Sequence, residues 1–250
     1  MTDQPTASAA RRGGGWKLVA SVVLFLAALA LLLALGTWQV QRLHWKEALL
    51  ADIAERQVAA PVPLSEIEAM AAAGTDIEYR RVTATGTFLN DKERHFFATY
   101  EGMTGFYVYT PLQLADGRIL FVNRGFVAYE DKEPSRRPQG QLEGQQTVTG
   151  LARSKLLQKP SFLVPDNDLT KNIFYWKDLD RMAETDGLPA DKVLPLFVDA
   201  DATPNPGGIP IGAVTQIDLP NSHLAYAFTW YGLAAALVVV GGMAFFRRRG

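Results

Sequence analysis

Two long runs of apolar residues lie at opposite ends of the chain. The first, Leu18 to Leu35, contains nothing more polar than Ser21, and the second, Leu224 to Phe246, contains no charged residue. A helix of 18 residues is roughly 27 Å long, so each run with its flanking residues can cross a bilayer core of about 30 Å. The pattern predicts transmembrane helices at residues 18–38 and 223–246.

The first run has an alternative interpretation as a cleaved signal peptide. Arg11, Arg12 and Lys17 precede it, and the triplet Ala-Leu-Ala at 28–30 has the small residues of a cleavage site. That triplet lies inside the apolar run, however, whereas cleavage sites follow it. The run also exceeds the roughly 7 to 15 residues of a signal peptide core, so we interpret it as an uncleaved anchor.

Between the two runs, the hydrophobic period changes from helical to alternating. Residues 42–58 predict an amphipathic helix continuous with the first span. Ser65 and Glu68 have the spacing of a capping box before a short Ala-rich helix that ends at Gly74. Five runs rich in Val, Thr, Phe and Tyr follow, separated by turn signals, and these are typical of strands. The five runs are Tyr79–Leu89, Arg94–Tyr100, Phe106–Leu114, Ile119–Tyr129 and Thr147–Arg153.

The turns between these runs indicate how the strands connect. Asp116-Gly117 predicts a hairpin, and the segment Tyr129–Gly144 predicts a long, mobile polar loop. A further helix is expected at Trp176–Glu184 and a strand at Val193–Asp199. Five sequential strands predict an antiparallel sheet or small barrel, which with the short helices gives an α+β domain.

Charge predicts the orientation in the membrane. The tails at 1–17 and 247–250 are basic, so the positive-inside rule keeps both in the cytoplasm and places the domain at 39–222 in the periplasm. Residues 43–222 carry 18 basic and 25 acidic residues, a formal charge of −7, which argues against binding nucleic acid or an anionic membrane surface. The sequence has no cysteine, which excludes disulfides and thiolate metal sites.

Known catalytic motifs do not occur in the sequence. There is no GxSxG, HExxH, P-loop or GxGxxG pattern, and we therefore predict that the protein is not an enzyme. Of the three histidines, His95 falls in a predicted strand, where we interpret it as a structural, hydrogen-bonded imidazole.

His223 is the candidate ligand because it lies at the outer boundary of the second span. At helical spacing it shares a face with Tyr226, Ala227 and Trp230, which places an imidazole beside aromatic rings at the water–lipid interface. That arrangement suits a flat amphiphilic ligand such as haem, whose iron commonly takes an imidazole. The alternative is an ordinary interfacial histidine within an aromatic belt.

The first span offers a second set of candidates at the same boundary. Trp38 and Arg42 are four residues apart, and Arg42 would pair with haem propionates. The alternative is that Arg42 extends to the interface without a ligand. Small residues at four-residue spacing, Ala30/Ala34 and Gly232/Ala236, are expected to pack the spans together or against a partner.

Three segments carry a resemblance to a known family. They are GTWQVQRLHWK (Gly36–Lys46), ILFVNRGFV (Ile119–Val127) and PNSHLAYAFTWYGLA (Pro220–Ala234). In this order they resemble the Surfeit locus 1 protein family, the assembly factors of haem-copper cytochrome c oxidase. The match extends from the first span to the second and covers nearly the whole chain.

The resemblance implies a non-enzymatic inner-membrane protein that binds haem a and aids its insertion into oxidase subunit I. The short N-terminal tail, without a long Arg/Ser-rich amphipathic segment, favours the bacterial inner membrane. The resemblance implies His223 as the iron ligand and matches family aromatic positions at Trp38, Trp45, Trp230 and Tyr231. Its implied partners are subunit I, haem a synthase and the lipid bilayer. A haem-free scaffold for immature subunit I is the alternative function, and a mitochondrial inner membrane would give the same topology.

The second segment also departs from the family, since Phe126 and Ala128 stand where the family often has Trp and Pro. Within it, we interpret Gly125 as a bulge or close backbone approach and Arg124 as a solvated or ion-paired charge. Contact of Arg124 with a partner is the alternative.

Overall fold

In a computed structural model of the chain, residues 15–215 and 220–247 are described. These residues form four α-helices and seven strands. The helices are α1 (Gly15–Val58), α2 (Leu64–Ala72), α3 (Leu179–Thr185) and α4 (His223–Arg247). The strands are β1 (Val62–Pro63), β2 (Arg81–Phe88), β3 (Arg94–Tyr100), β4 (Met103–Leu114), β5 (Ile119–Ala128), β6 (Gln145–Ser154) and β7 (Val193–Ala200).

Helices α1 and α4 are both long and apolar enough to cross a membrane. Helix α1 runs without interruption from the first apolar run through the predicted amphipathic segment and ends before Pro61. The arginines on which the predicted orientation depends, Arg11, Arg12, Arg248 and Arg249, lie outside the described residues. Contacts divide the chain into two units, one containing α4 with α1 up to Ala51, and one beginning at Asp52 and containing the sheet.

The strands form a seven-stranded sheet in the order β1-β2-β6-β7-β5-β4-β3, and an additional pairing of β2 with β4 closes five of them into a barrel. The predicted small barrel is therefore present. It is not wholly antiparallel, because β5 pairs with β7 and β1 with β2 in parallel. The segment between β6 and β7, which contains α3, returns the chain so that β7 lies beside β5 in the same direction.

Successive side chains along each strand point to opposite faces of the sheet, and this divides the buried apolar residues into two clusters. Leu120 and Val122 of β5 belong to a cluster to which all five barrel strands contribute, so this cluster fills the barrel. Phe121 points to the opposite side, where it packs with Phe197 and with buried residues of α3. Because β5 is covered on both faces, nine of its ten residues are buried, and its sequence is apolar on both sides of the buried pair Asn123-Arg124.

The predicted hairpin at Asp116-Gly117 is confirmed, and the structure has a second hairpin that turns at Glu101-Gly102. Tyr100 pairs with Met103, and Glu101 and Gly102 between them both have positive φ, 49° and 80°. At the next turn the Leu114 N–H donates to the Arg118 carbonyl at 2.8 Å, and Gly117 has a φ of 81°. These values are those that tight hairpin turns require, and they explain the Glu-Gly and Asp-Gly pairs.

Other local predictions need correction. Helix α2 begins at Leu64 after Pro63, so Ser65 already lies in its first turn and does not cap it; Glu68 instead pairs with Arg118. Helix α3 begins later than predicted because the carboxylate of Asp178 accepts a hydrogen bond from the Arg181 N–H and caps it.

The segment 129–144, predicted as a mobile polar loop, instead contains three short 3-10 turns. It is anchored through Arg137, whose side chain is fully buried.

Candidate functional site

Helices α1 and α4 contact each other through small residues that lie beneath aromatic rings. A Cβ atom placed on Gly36 would lie 2.7 Å from Cε1 of Tyr231, and one placed on Gly241 would overlap the ring of Phe25. The hydroxyl groups of Thr37 and Tyr231 are 3.1 Å apart and hydrogen-bonded. Because the contact partners run in opposite directions along the two helices, the pair is antiparallel.

The packing residues differ from those predicted within this helix pair. Ala30, Ala34, Gly232 and Ala236 are all exposed, and nothing lies within 4 Å of a Cβ placed on Gly232. The close approach uses Gly36 and Gly241 instead. A stripe of small residues on each helix was therefore the right kind of signal, but the contacting face is a different one.

His223, the predicted ligand, is the first residue of α4 and forms a hydrogen bond with α1. Its Nδ1 lies 2.7 Å from Oε1 of Gln39, and Gln39 is 8% exposed. Gln39 follows Gly36 by three residues, so both share the face of α1 that contacts α4. With the amide oxygen as acceptor, the imidazole carries its proton on Nδ1 and keeps the lone pair on Nε2, which no described residue hydrogen-bonds.

The predicted aromatic neighbours of His223 are only partly brought onto one face. Ala227 is buried and Trp230 is half-buried, whereas Tyr226 is 54% exposed. Trp38 is 51% exposed on α1. These exposed aromatic rings are available to a flat ligand or to lipid, and among the described residues neither Tyr226 nor Trp38 forms a ring contact with His223.

Arg42 has a partner other than the predicted propionate. Its Cζ lies 4.2 Å from the centre of the Trp45 ring, an arrangement typical of a cation–π contact. Arg42 forms no ion pair with any residue in the described part of the chain. Its charge is thus not neutralised there, although one face of its guanidinium group is covered.

A second polar group is buried in the barrel domain and centres on Glu93, which is 3% exposed. Both terminal nitrogens of Arg137 donate to its carboxylate, and Nε2 of His95 lies 3.7 Å away. Nδ1 of His95 accepts from the amide of Asn172 at 3.2 Å, which makes His95 the structural imidazole that the sequence predicts. This group attaches the 129–144 segment to β3.

Burial and neighbouring charges shift the pKa of the Glu93 carboxyl group in opposite directions. Burial favours the neutral acid, but His95 and Arg137 stabilise the ionised form and lower the pKa of Glu93 to about 2. Arg137 is the stronger of the two because it forms two direct hydrogen bonds, whereas 3.7 Å is long for one from His95. Burial lowers the pKa of His95, against the opposing effect of the Glu93 carboxylate.

Arg124 is structural rather than exposed for a partner, because only 2% of it is accessible. It lies inside one end of the barrel, with its Cζ 4.7 Å from the Phe88 ring centre, and donates to the carbonyl of Gly140 and, at 3.1 Å, to Asn205. Among the described residues its Nη1 has no hydrogen-bond partner, and it lies 3.9 Å from Glu93. A cavity of about 260 Å³ adjoins it.

Gly125, the next residue, makes the close backbone approach that the sequence predicts. Its φ is 126°, and a Cβ atom would overlap the carbonyl oxygen of Ile211. Phe126 exchanges hydrogen bonds of 2.8 Å with Ile211 at the same place. Gly125 therefore allows the segment after β7 to lie against β5.

Gln39 and the Glu93–Arg137 pair are the residues that sequence reasoning missed. Gln39 had a usable signal, because it is an amide between Trp38 and Val40 and one turn beyond a glycine of the first span. Glu93 and Arg137 had none, since they are 44 residues apart and each lies in a polar stretch.

The described residues fit one axial imidazole of a haem. A haem-ligating histidine holds one ring nitrogen by a hydrogen bond and presents the other, which is the state of His223. A second axial histidine is not offered beside it among the described residues, because His44 is exposed on α1 and His95 is buried in the other unit. No group of three or more His, Asp or Glu side chains that could hold a metal ion occurs in the described ranges.

Comparison with known proteins gives concordant matches over most of the chain. The SURF1 family model matches residues 26–235. A SURF1-like protein of Monosiga brevicollis is 36% identical over 266 residues, covering 100% of this chain and 94% of that protein. Surfeit locus protein 1 of Rattus norvegicus is 37% identical, covering 86% and 72%, and that of Homo sapiens is 36% identical, covering 81% and 70%.

Proposed function

Because this chain belongs to the SURF1 family, we propose that it assists assembly of haem-copper cytochrome c oxidase by holding haem a and aiding its insertion into subunit I. The observation that carries the proposal is the state of His223, with Nδ1 bound to Gln39 and Nε2 free of partners in the described residues. Haem, when bound, supplies an iron centre with vacant axial positions, and His223 would hold it through Nε2.

The proposed location is a membrane with the domain on its outer side. Two helices of sufficient length and hydropathy support the spanning arrangement, and the basic tails support cytoplasmic ends. The relatives named above come from eukaryotes, and a mitochondrial inner membrane gives the equivalent topology. The bacterial inner membrane remains our prediction, with the domain in the periplasm.

The proposed action is holding and release, without catalysis. A carrier must bind haem tightly enough to prevent its loss into lipid, yet more weakly than the final site in the oxidase. One histidine at the helix pair is consistent with such intermediate affinity, and Trp38, Tyr226 and Trp230 offer apolar area to the ring. Subunit I would be the acceptor and haem a synthase the donor.

A haem-free scaffold is the second candidate. The exposed Gly232 and Ala236 on α4 would accept a close-packed helix of immature subunit I, and no haem contact is required for that role. Under this hypothesis, replacement of His223 leaves assembly intact.

Complementation of a strain that lacks its own family member tests the two candidates. The strain receives the wild-type chain, His223→Ala or His44→Ala, the last as a control at an exposed histidine on α1. We expect His223→Ala alone to reduce haem a per subunit I in isolated membranes, measured from the reduced-minus-oxidised spectrum and an immunoblot. Normal haem a content with His223→Ala would contradict haem delivery and favour the scaffold.

A further inference from the structure

The hydrogen bond between Gln39 and His223 joins residues that are 184 positions apart in the sequence. It is a polar contact between α1 and α4 made by the proposed iron ligand itself. We propose that Gln39 is a positioning residue, whose amide oxygen fixes the His223 proton on Nδ1 and presents Nε2 to iron. This inference rests on the proposed function for its use of Nε2, but the state of the ring is a property of the protein alone.

The position of the proton on the His223 ring decides which ring nitrogen can bind a metal ion. A neutral imidazole carries one proton, and only the form protonated on Nδ1 leaves the Nε2 lone pair free. Gln39 selects that form because its Oε1, 2.7 Å from Nδ1, can only accept. Binding of a metal at Nε2 then requires neither loss of a proton nor exchange between the two forms.

Gln39 is itself held between the two helices. It is 8% exposed on the face of α1 that contains Gly36, and Gly36 allows the Tyr231 ring to approach closely. A buried amide without a partner is costly, so the bond to His223 satisfies Gln39 as well as orienting the ring. The close packing at Gly36 and the hydrogen bond between the hydroxyl groups of Thr37 and Tyr231 keep the two helices at this spacing.

The group that accepts the Nδ1 proton also affects how strongly the imidazole binds iron. A carboxylate in the place of Gln39 would make the imidazole more basic and strengthen its bond to iron, whereas a neutral amide does so less. An amide therefore orients the ligand while strengthening its bond to iron less than a carboxylate would. That property suits a protein that has to release what it binds.

The test begins with haem-free, full-length protein in detergent micelles, labelled with ¹⁵N-histidine. The ¹⁵N shifts of the ring report which nitrogen carries the proton, and the His223 signals are those absent from His223→Ala. We expect the Nδ1–H form in the wild type and its loss in Gln39→Met, which keeps the side-chain volume but has no strong acceptor. Gln41→Met is the matched control, since Gln41 is exposed two residues further along α1.

The second measurement titrates haem a into the same proteins and determines the midpoint potential. We expect Gln39→Met to bind about tenfold or more weakly, in the range for loss of an outer-shell partner. Gln39→Glu should restore binding, lower the midpoint potential and slow transfer of haem to apomyoglobin.

The inference is overturned if the wild-type ring is not held in the Nδ1–H form, or if Gln39→Met leaves the ring and haem affinity unchanged. A wild-type ring in the expected form that binds no haem would contradict the proposed function and leave the assignment of Gln39 to the ring intact.

Discussion

Arg137 forms two hydrogen bonds with the carboxylate of Glu93, and both side chains are at most 2% exposed. Removing one member of such a buried pair leaves an uncompensated charge. We expect Arg137→Met to lower the free energy of unfolding by about 3 to 5 kcal/mol. Arg136→Met, a change of the exposed neighbouring arginine, should have an effect within about 0.5 kcal/mol.

Urea unfolding of the purified full-length protein, followed by near-ultraviolet circular dichroism, measures both variants. Limited proteolysis provides a second measurement, because Arg137 holds the 129–144 segment and its loss should create cleavage sites there. Equal stability of the two arginine variants would show that the buried pair does not anchor this segment.

The pH dependence of stability should report Glu93. Its pKa in the folded protein is lowered to about 2 from an ordinary value of 4.5, so the unfolded state binds the proton more readily. The stabilisation is therefore complete above pH 4.5 and is lost as the pH falls toward 2, by about 3 kcal/mol in total. The free energy of unfolding between pH 6 and 2 should fall less steeply for Glu93→Gln, and parallel curves for the two proteins would contradict this.

Gly125→Ala should be strongly destabilising. The new Cβ atom would overlap the Ile211 carbonyl oxygen, and φ of 126° is a conformation that alanine rarely adopts. We expect a loss of roughly 3 kcal/mol or more. Gly117→Ala is the control, because its φ is also positive but nothing lies within 4 Å, and about 1 kcal/mol is expected. Thermal unfolding distinguishes the two, and similar losses would show that the close approach contributes nothing.

Two glycines of the helix pair should respond differently to leucine. A leucine at position 36 would displace the Tyr231 ring and separate the helices, whereas Gly232 has open space beside it. We expect Gly36→Leu to lower the thermal stability of the detergent-purified protein and Gly232→Leu to leave it unchanged. If Gly232→Leu alone abolishes copurification with subunit I, that face contacts the partner; unchanged copurification would count against such a role.

Much of this fold could be predicted because its signals are local. The apolar runs predict α1 and α4, and alternating strands with an Asp-Gly turn predict the hairpin of β4 and β5. The parallel pairing of β5 with β7 could not be predicted, because it depends on the path of the segment that precedes β7. Similarly, Ser65 has the spacing of a cap, but the helix begins at Leu64, directly after Pro63, so Ser65 is its second residue.

The candidate site likewise contains residues that could be predicted from the local sequence and contacts that could not. His223 could be singled out because its position at a span boundary is a property of the local sequence. Gln39 is visible in the sequence as an amide within an apolar stretch, but its pairing with His223 could not be predicted, because pairing depends on which faces of two helices meet, and the stripes at Ala30/Ala34 and Gly232/Ala236 face outward. Trp45 covers one face of the Arg42 guanidinium group, and the pairing of Arg42 with a propionate stays a prediction.

The visible absorption spectrum of the purified protein tests whether it binds haem a through His223. Wild type and His223→Ala are each produced in cells that make haem a and purified in detergent without added haem. The account predicts a Soret band in the wild type that is lost or strongly reduced in His223→Ala, at equal protein concentration and unchanged circular dichroism. Absence of haem from the wild type, or an identical band in both proteins, would contradict it.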